Sequence, residues 1–130
     1  MQGTDIIEAL HSEDPAVVRE AAFKAGRLKI KEAVPHLVGL VESRNLGIQE
    51  AAEFALRKIR GSVTVAALCP LLRSDEAPVR NLAMDILREI GVDDLSALKA
   101  LLRDEDPDLR IFIADILGST GTTLAVAPLC

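Results

Sequence analysis

A short segment of this 130-residue chain returns every 30 or 31 residues. Its copies end at four residues: Arg19, Gln49, Arg80 and Arg110. A fixed period of this size is typical of stacked repeat arrays, in which each unit packs against its neighbours along the chain. We therefore expect one array over residues 1–130, with a partial unit and four further units: 1–12, 13–42, 43–73, 74–103 and 104–130.

Each unit is predicted to contain two helices, the first of which we call the A helix. Asp14-Pro15 and Asp106-Pro107 open the first and fourth A helices, since aspartate accepts the free backbone N–H groups and proline suits the first helical position. The second and third A helices have alternative caps: Ser43 or Asn45, and Ser74 or Asp75. Three glycines are expected to close the later A helices: Gly61, Gly91 and Gly121.

The second helix of each unit, the B helix, is predicted over residues 32–42, 63–73 and 93–103, with equivalent leucines in the core. Thr4–Leu10 aligns with these B helices, and residues 125–130 look like the start of another. The expected fold is an all-α, right-handed superhelix of about four helical pairs, with A helices on the convex side. Because the chain starts and stops inside units, we expect a fragment of a longer protein whose open ends could self-associate.

These units resemble HEAT repeats, specifically the short HEAT-like repeats named after phycobilisome lyases. The resemblance rests on three motifs: the Asp-Pro openings at Asp14 and Asp106, the alanine pairs such as Ala21-Ala22, and the pattern Ala33-Val-Pro-His-Leu-Val-Gly-Leu40. It covers essentially the whole chain and implies a scaffold. The family's Asp and Arg residues tie successive repeats, and the recurring acids favour carboxylate pairing over a basic ladder for anions. The resulting inter-repeat ladder comprises Asp14, Arg19, Asp75, Arg80, Asp106 and Arg110.

The second unit departs from this pattern, because Arg44-Asn-Leu-Gly-Ile-Gln49 replaces the Asp…Arg opening. The tie at this unit is therefore predicted to be missing or altered. Either a softer joint or a site kept free for a ligand could follow.

Composition and motifs argue against catalysis and against nucleic acid. The net charge is −5, and the chain has three Phe but no Trp or Tyr, which disfavours binding of single strands through base stacking. A column of Arg27, Arg57 and Arg88 keeps weak DNA-backbone binding as an alternative. Neither His11 nor His36 is followed by the Glu of metal-binding HEAT-like hydroxylases, and Cys69 shows no metal spacing. We predict no enzyme activity, no metal and no cofactor.

The predicted function is a non-catalytic protein-interaction scaffold or regulatory module, with a protein partner that the sequence does not identify. Contacts are expected on the B-helix face, at His36, Glu42, Thr64, Lys99 and Arg103. An accessory role beside a bilin lyase is an alternative that rests on the resemblance alone. No apolar run reaches the length needed to cross a bilayer, so no membrane contact is expected. Two distant cysteines and the absence of a signal peptide favour the cytoplasm.

Overall fold

The computed structural model describes the backbone of residues 3–120 and the side chains of residues 5–120. Within that range the chain forms eight α-helices and no strand, which confirms the all-α class. The long helices are the A helices: α2 (Pro15–Arg27), α4 (Leu46–Ile59), α6 (Ala77–Ile90) and α8 (Pro107–Ser119). The short helices belong to the B layer: α1 (Gly3–Ala9), α3 (Val34–Leu40), α5 (Gly61–Leu68) and α7 (Leu95–Ala100).

The A helices begin where the caps predict, with one exception. Asp14 accepts the N–H of Ala16 at 3.0 Å, and Asp106 accepts the N–H of Asp108 at 2.9 Å. Of the two candidates in the second unit, Asn45 is the N-cap, and its side-chain oxygen accepts the N–H of Ile48 at 3.1 Å. These side chains satisfy backbone donors that the first helical turn leaves without a partner.

The third cap was predicted one or two residues too early. The N-cap of α6 is Glu76, whose side chain makes no capping bond, and neither Ser74 nor Asp75 holds that position. The Oγ of Ser74 instead accepts the N–H of Glu76 at 3.1 Å. A start at Ala77 places Pro78 in the first turn, where its missing N–H costs nothing.

The B helices are shorter and less regular than predicted. Each expected 11-residue helix over 32–42, 63–73 and 93–103 is divided between an α-helix and 3₁₀ turns. The 3₁₀ segments are Lys31–Ala33, Cys69–Arg73, Gly91–Asp94 and Leu101–Arg103. Pro70 lies in the first turn of its 3₁₀ segment, where an uninterrupted α-helix would need the N–H that proline lacks. The B layer is therefore built from short pieces beside long A helices.

The predicted closing glycines have different roles. After α4 the chain turns through Arg60 and Gly61, which both have positive φ, at 55° and 85°. Gly91 keeps an ordinary φ of −58°. A Cβ atom at Gly91 would lie 2.8 Å from Cδ1 of Leu98, so glycine here permits close packing rather than a left-handed turn. Gly121 and the predicted helix start at 125–130 lie outside the described residues.

The helices form two layers around one continuous core. A helices pack on successive A helices and B helices on successive B helices. Leu37, Leu68 and Leu98 are fully buried, as the repeat register predicts. Within residues 3–120, no helix is long and apolar enough to cross a bilayer.

Candidate protein-interaction surface

The predicted inter-repeat ladder has partners other than the expected carboxylates. Within residues 5–120, none of its three pairs forms an ion pair: Asp14 with Arg19, Asp75 with Arg80, and Asp106 with Arg110. Asp14 and Asp106 are occupied as N-caps of their own helices. For these two aspartates, helix capping takes the place of the pairing that the spacing suggested.

The ladder arginines donate instead to backbone carbonyls and pack on aromatic rings. Nη1 of Arg80 donates to the carbonyl oxygen of Ser74 at 2.9 Å, and Nη1 of Arg110 donates to that of Asp104 at 3.1 Å. The guanidinium of Arg80 also lies 5.4 Å from the ring centre of Phe112 in the next unit. This distance is within the range of cation–π attraction, so Arg80 still connects two units.

Arg19 also reaches the unit that follows its own. Its guanidinium lies 5.0 Å from the ring centre of Phe23, one turn along α2. Its stem passes Gly47 of the second unit so closely that a Cβ there would lie 3.3 Å from the Arg19 Cδ. At two junctions, therefore, an arginine of one unit lies close to a residue of the next unit.

The second unit breaks this series. Gln49 holds the arginine position, and its Nε2 is directed back to the carbonyl oxygen of Val41 at 3.0 Å. An open cleft of about 450 Å³ lies beside it, between the second and third units. Its lining includes Glu42, Arg44, Leu46, Glu76, Pro78 and Val79. Leu46 is 73% exposed, the highest exposure among the large apolar side chains of the described residues.

Ion pairs that the ladder did not include connect the later units. Arg57 binds Glu89 at 2.8 Å and Glu53 at 2.6 Å, and Arg88 binds Asp115 and Asp85. Both arginines belong to the basic column that raised the possibility of DNA binding. Because acids of the same and of the following unit engage Arg57 and Arg88, these two arginines connect neighbouring units.

Asp93 makes the most complete of these junction contacts. Its carboxylate accepts two hydrogen bonds from Arg60, at 2.9 and 3.1 Å, and one from the backbone N–H of Gly61 at 3.0 Å. The side-chain bond from Arg60, followed by the backbone bond from Gly61, lowers the pKa of Asp93. Asp93 of the third unit thus caps α5, and its carboxylate balances the charge of Arg60 in the turn between α4 and α5. Arg73 and Asp104 form a further pair at 2.5 Å.

The junction between the first and second units has no ion pair within the described residues. Arg27 has only Glu20 of its own helix, at 3.8 Å, and Lys58 occupies the position equivalent to Glu89. Apolar contact replaces the charges here. A Cβ at Gly26 would lie 2.7 Å from the Ala55 Cα, which indicates very close approach of α2 and α4.

The five predicted partner-binding residues do not share one environment. Glu42, Lys99 and Arg103 are exposed, as a contact surface requires. His36 is half-buried, and its Nδ1 lies 2.7 Å from Nε2 of His11. The prediction that Thr64 lies on the surface was wrong. Thr64 is fully buried, because it occupies the inward position that Ala33 holds one unit earlier. Its Oγ1 has no hydrogen-bond partner within the described residues.

The structure also defines the state of Cys69. Its Sγ donates to the carbonyl oxygen of Val65 at 3.2 Å, and burial raises the pKa of the thiol to about 11. The side chain is therefore a protonated thiol at neutral pH and a poor nucleophile. Among the described residues, no group of three His, Cys, Asp or Glu side chains is arranged to hold a metal ion.

Comparison with known families identifies the class of protein. The family model for HEAT repeats matches residues 4–88 and 65–130, which together span nearly the whole chain. The chain therefore belongs to the HEAT-repeat family. No curated protein matches the sequence.

Two solved structures share the fold. Both are crystal structures of engineered proteins, with TM-scores of 0.58 and 0.57 and sequence identities of 22% and 20%. Each comparison covers 98% of this chain, and the chain spans 66% and 68% of the two engineered proteins. Likeness at this identity shows the fold alone, and it supports an all-α solenoid.

Sequence reasoning identified the altered second unit but missed the ion pairs between units. A signal for them was present: Glu89, Asp93 and Asp104 follow Arg57, Arg60 and Arg73 by 31 to 33 residues, close to one repeat period. The contact between His11 and His36 had no comparable signal, because it depends on how α1 and α3 pack.

Proposed function

We propose that this chain is a non-catalytic scaffold that binds a protein partner. The observation that carries this proposal is the open cleft between the second and third units, where Gln49 replaces an arginine and Leu46 is exposed. HEAT-repeat arrays generally mediate protein interactions, and a cleft that combines apolar and charged side chains has the mixed chemistry of a protein contact surface.

Four of the sequence-predicted residues remain in the proposed contact surface: His36, Glu42, Lys99 and Arg103. Glu42 belongs both to this set and to the cleft: it lines the cleft and follows the B helix α3. Thr64 is removed from the surface by its burial. The protonated Cys69 thiol fits the proposal that the chain performs no covalent catalysis.

Two alternatives have less support. DNA-backbone binding would use the arginine column, but Arg57 and Arg88 are engaged by carboxylates, which competes with phosphate. No structural feature favours the accessory role beside a bilin lyase, which rests on the resemblance. The cytoplasmic location remains a proposal based on cysteine usage.

Self-association remains a second proposed mode of contact. A groove of about 250 Å³ between α1 and α2, lined partly by Ala9, Val17 and Ala21, faces the side on which a preceding unit would pack. Val17 is 41% exposed there.

The scaffold proposal can be tested by quantitative affinity capture with matched variants. The triple variant Glu42→Lys, Lys99→Glu, Arg103→Glu reverses three exposed charges of the proposed surface. The control Glu13→Lys, Lys29→Glu, Lys31→Glu also reverses three charges, at exposed residues outside both proposed contact surfaces. We expect one partner to be retained by the parent and the control and lost from the triple variant. Equal retention by all three proteins would contradict the proposed surface.

A further inference from the structure

We infer that the cleft between the second and third units binds an arginine side chain presented by a flexible segment of a protein partner. This inference rests on the proposed scaffold function and specifies the chemistry of its partner. It follows from the interruption of the arginine series at Gln49, from the lining of the cleft and from the charge of that lining.

The third and fourth units show how an arginine is held at this position in the repeat. Arg80 and Arg110 each donate Nη1 to the carbonyl oxygen six residues earlier, that of Ser74 and that of Asp104. Ser43 stands six residues before Gln49 and lines the cleft. Gln49 does not make the equivalent contact, since its Nε2 donates to Val41. The second unit thus keeps the position that receives an arginine but lacks the arginine.

The lining of the cleft matches both parts of an arginine side chain. Glu42 and Glu76 provide carboxylates, which a planar guanidinium can engage through two parallel N–H donors. Leu46 and Val79 provide apolar surface for the aliphatic stem. Arg44 also lines the cleft, so the lining carries two negative charges and one positive charge.

The arginine is not one of the residues that flank the described structure. Residues 1–2 and 121–130 contain neither lysine nor arginine, so these segments cannot provide the guanidinium. A volume of about 450 Å³ exceeds the space that one side chain fills, so the cleft accommodates part of the flanking backbone as well. The occupant that fits best is an arginine within an extended peptide.

Binding can be measured by ¹⁵N–¹H NMR titration of the full chain with N-acetyl-arginine-N-methylamide. The matched neutral probe is N-acetyl-citrulline-N-methylamide, which keeps the shape and removes the charge. We expect saturable shifts at the amides of Gly47, Ile48 and Val79 with the arginine probe, and binding about tenfold weaker with citrulline. Equal affinity for the two probes, or no saturable shift, would overturn the inference.

The variant Gln49→Arg tests the repeat argument directly. It restores the internal arginine, so the arginine probe should no longer shift the three amides, while the thermal midpoint stays at or above that of the parent. The double variant Glu42→Gln, Glu76→Gln should bind the arginine probe about tenfold more weakly, since it removes both carboxylates. The control pair Glu13→Gln, Glu105→Gln changes the net charge equally at exposed loop residues and should leave binding unchanged.

Two further outcomes would separate this inference from the scaffold proposal. If affinity capture depends on the exposed charges but the arginine probe does not bind, the scaffold proposal stands and the arginine site is wrong. If the three amides shift with protein concentration in the absence of probe and Gln49→Arg abolishes that shift, a second copy occupies the cleft. That result would overturn the assignment to a partner peptide.

Discussion

At the scale of single residues, two kinds of feature carry a local cost that the rest of the fold offsets: positive φ at residues with side chains, and a buried hydroxyl. Lys29 and Arg60 adopt φ angles of 52° and 55°, which cost a residue with a side chain roughly 1–3 kcal/mol each. Thr64 is fully buried, and its hydroxyl has no partner within the described residues. Neither cost can be recognised from the sequence alone. The packing of the units determines both the backbone conformation at the turns and the burial of the hydroxyl.

Thr64→Val tests the cost of the buried hydroxyl. Valine keeps the shape of threonine and removes a polar atom that has lost its water, so the free energy of unfolding should rise by about 1 kcal/mol. Urea denaturation followed by circular dichroism measures the change. Thr64→Ser is the matched control, because it keeps the hydroxyl and removes the methyl group, and it should destabilise the protein. A loss of stability with valine equal to that with serine would show that the hydroxyl has a partner.

At the scale of helices, successive junctions use different physical means. Ion pairs join the second unit to the third and the third to the fourth, through Arg57 and Arg88. The first junction depends on close approach of α2 and α4 at Gly26, together with an edge-to-face contact of Phe23 and Phe54 whose ring centres are 5.3 Å apart. Lys58 explains the difference, because it places a positive charge where the next unit has Glu89.

Lys58→Glu should create the missing ion pair. A carboxylate at this position would face Arg27 as Glu89 faces Arg57, and the free energy of unfolding should rise by about 0.3–1 kcal/mol at low salt. The gain should shrink in 1 M NaCl, where exposed charges are screened. Denaturant titrations at both salt concentrations measure it.

Two controls identify the source of that gain. Lys58→Gln removes the lysine and its contact with the Phe54 ring without adding a carboxylate, so it should give little or no stabilisation. Adding Arg27→Gln to Lys58→Glu should abolish the gain, as a double-mutant cycle requires for a direct pair. A gain that survives this addition would rule out pairing with Arg27.

At the scale of the whole molecule, stability comes from contacts between neighbouring units around one continuous core. α5 lies near the middle of the described chain, and Leu68 at its end is fully buried. A defect there affects the contacts that α5 makes with α3 and α6. A single substitution in the central B layer can therefore disrupt the packing between the two halves of the array.

Leu68→Asp should unfold most of the array. An isolated buried carboxylate costs several kcal/mol, which is comparable to the total stability of about 5–15 kcal/mol of a small domain. Far-UV circular dichroism should show loss of most of the helical signal. Leu46→Asp makes the same chemical change at an exposed leucine and should keep the parent spectrum. A folded Leu68→Asp protein with the parent's thermal midpoint would contradict the position of Leu68 in the core.

The sequence by itself determined the class of fold, because that depends on periodic features. The 30- or 31-residue period, the caps at Asp14 and Asp106, and the equivalent leucines of the B helices are all local or repeated patterns. The altered second unit was also recognisable, since Gln49 stands where the other units have arginine. Each of these signals needs only the chain and the helical geometry.

Only the tertiary structure decided which partner each polar side chain finds. Asp14 was predicted to pair with Arg19 but caps its own helix, and Thr64 was predicted to be exposed but faces the core. Gln49 stands at the arginine position, but only the structure shows that its side chain turns toward Val41 and that an open cleft lies beside it. A polar side chain has several possible partners nearby in the sequence. The choice among them depends on the packing of units about 30 residues apart, which a repeat pattern does not encode residue by residue.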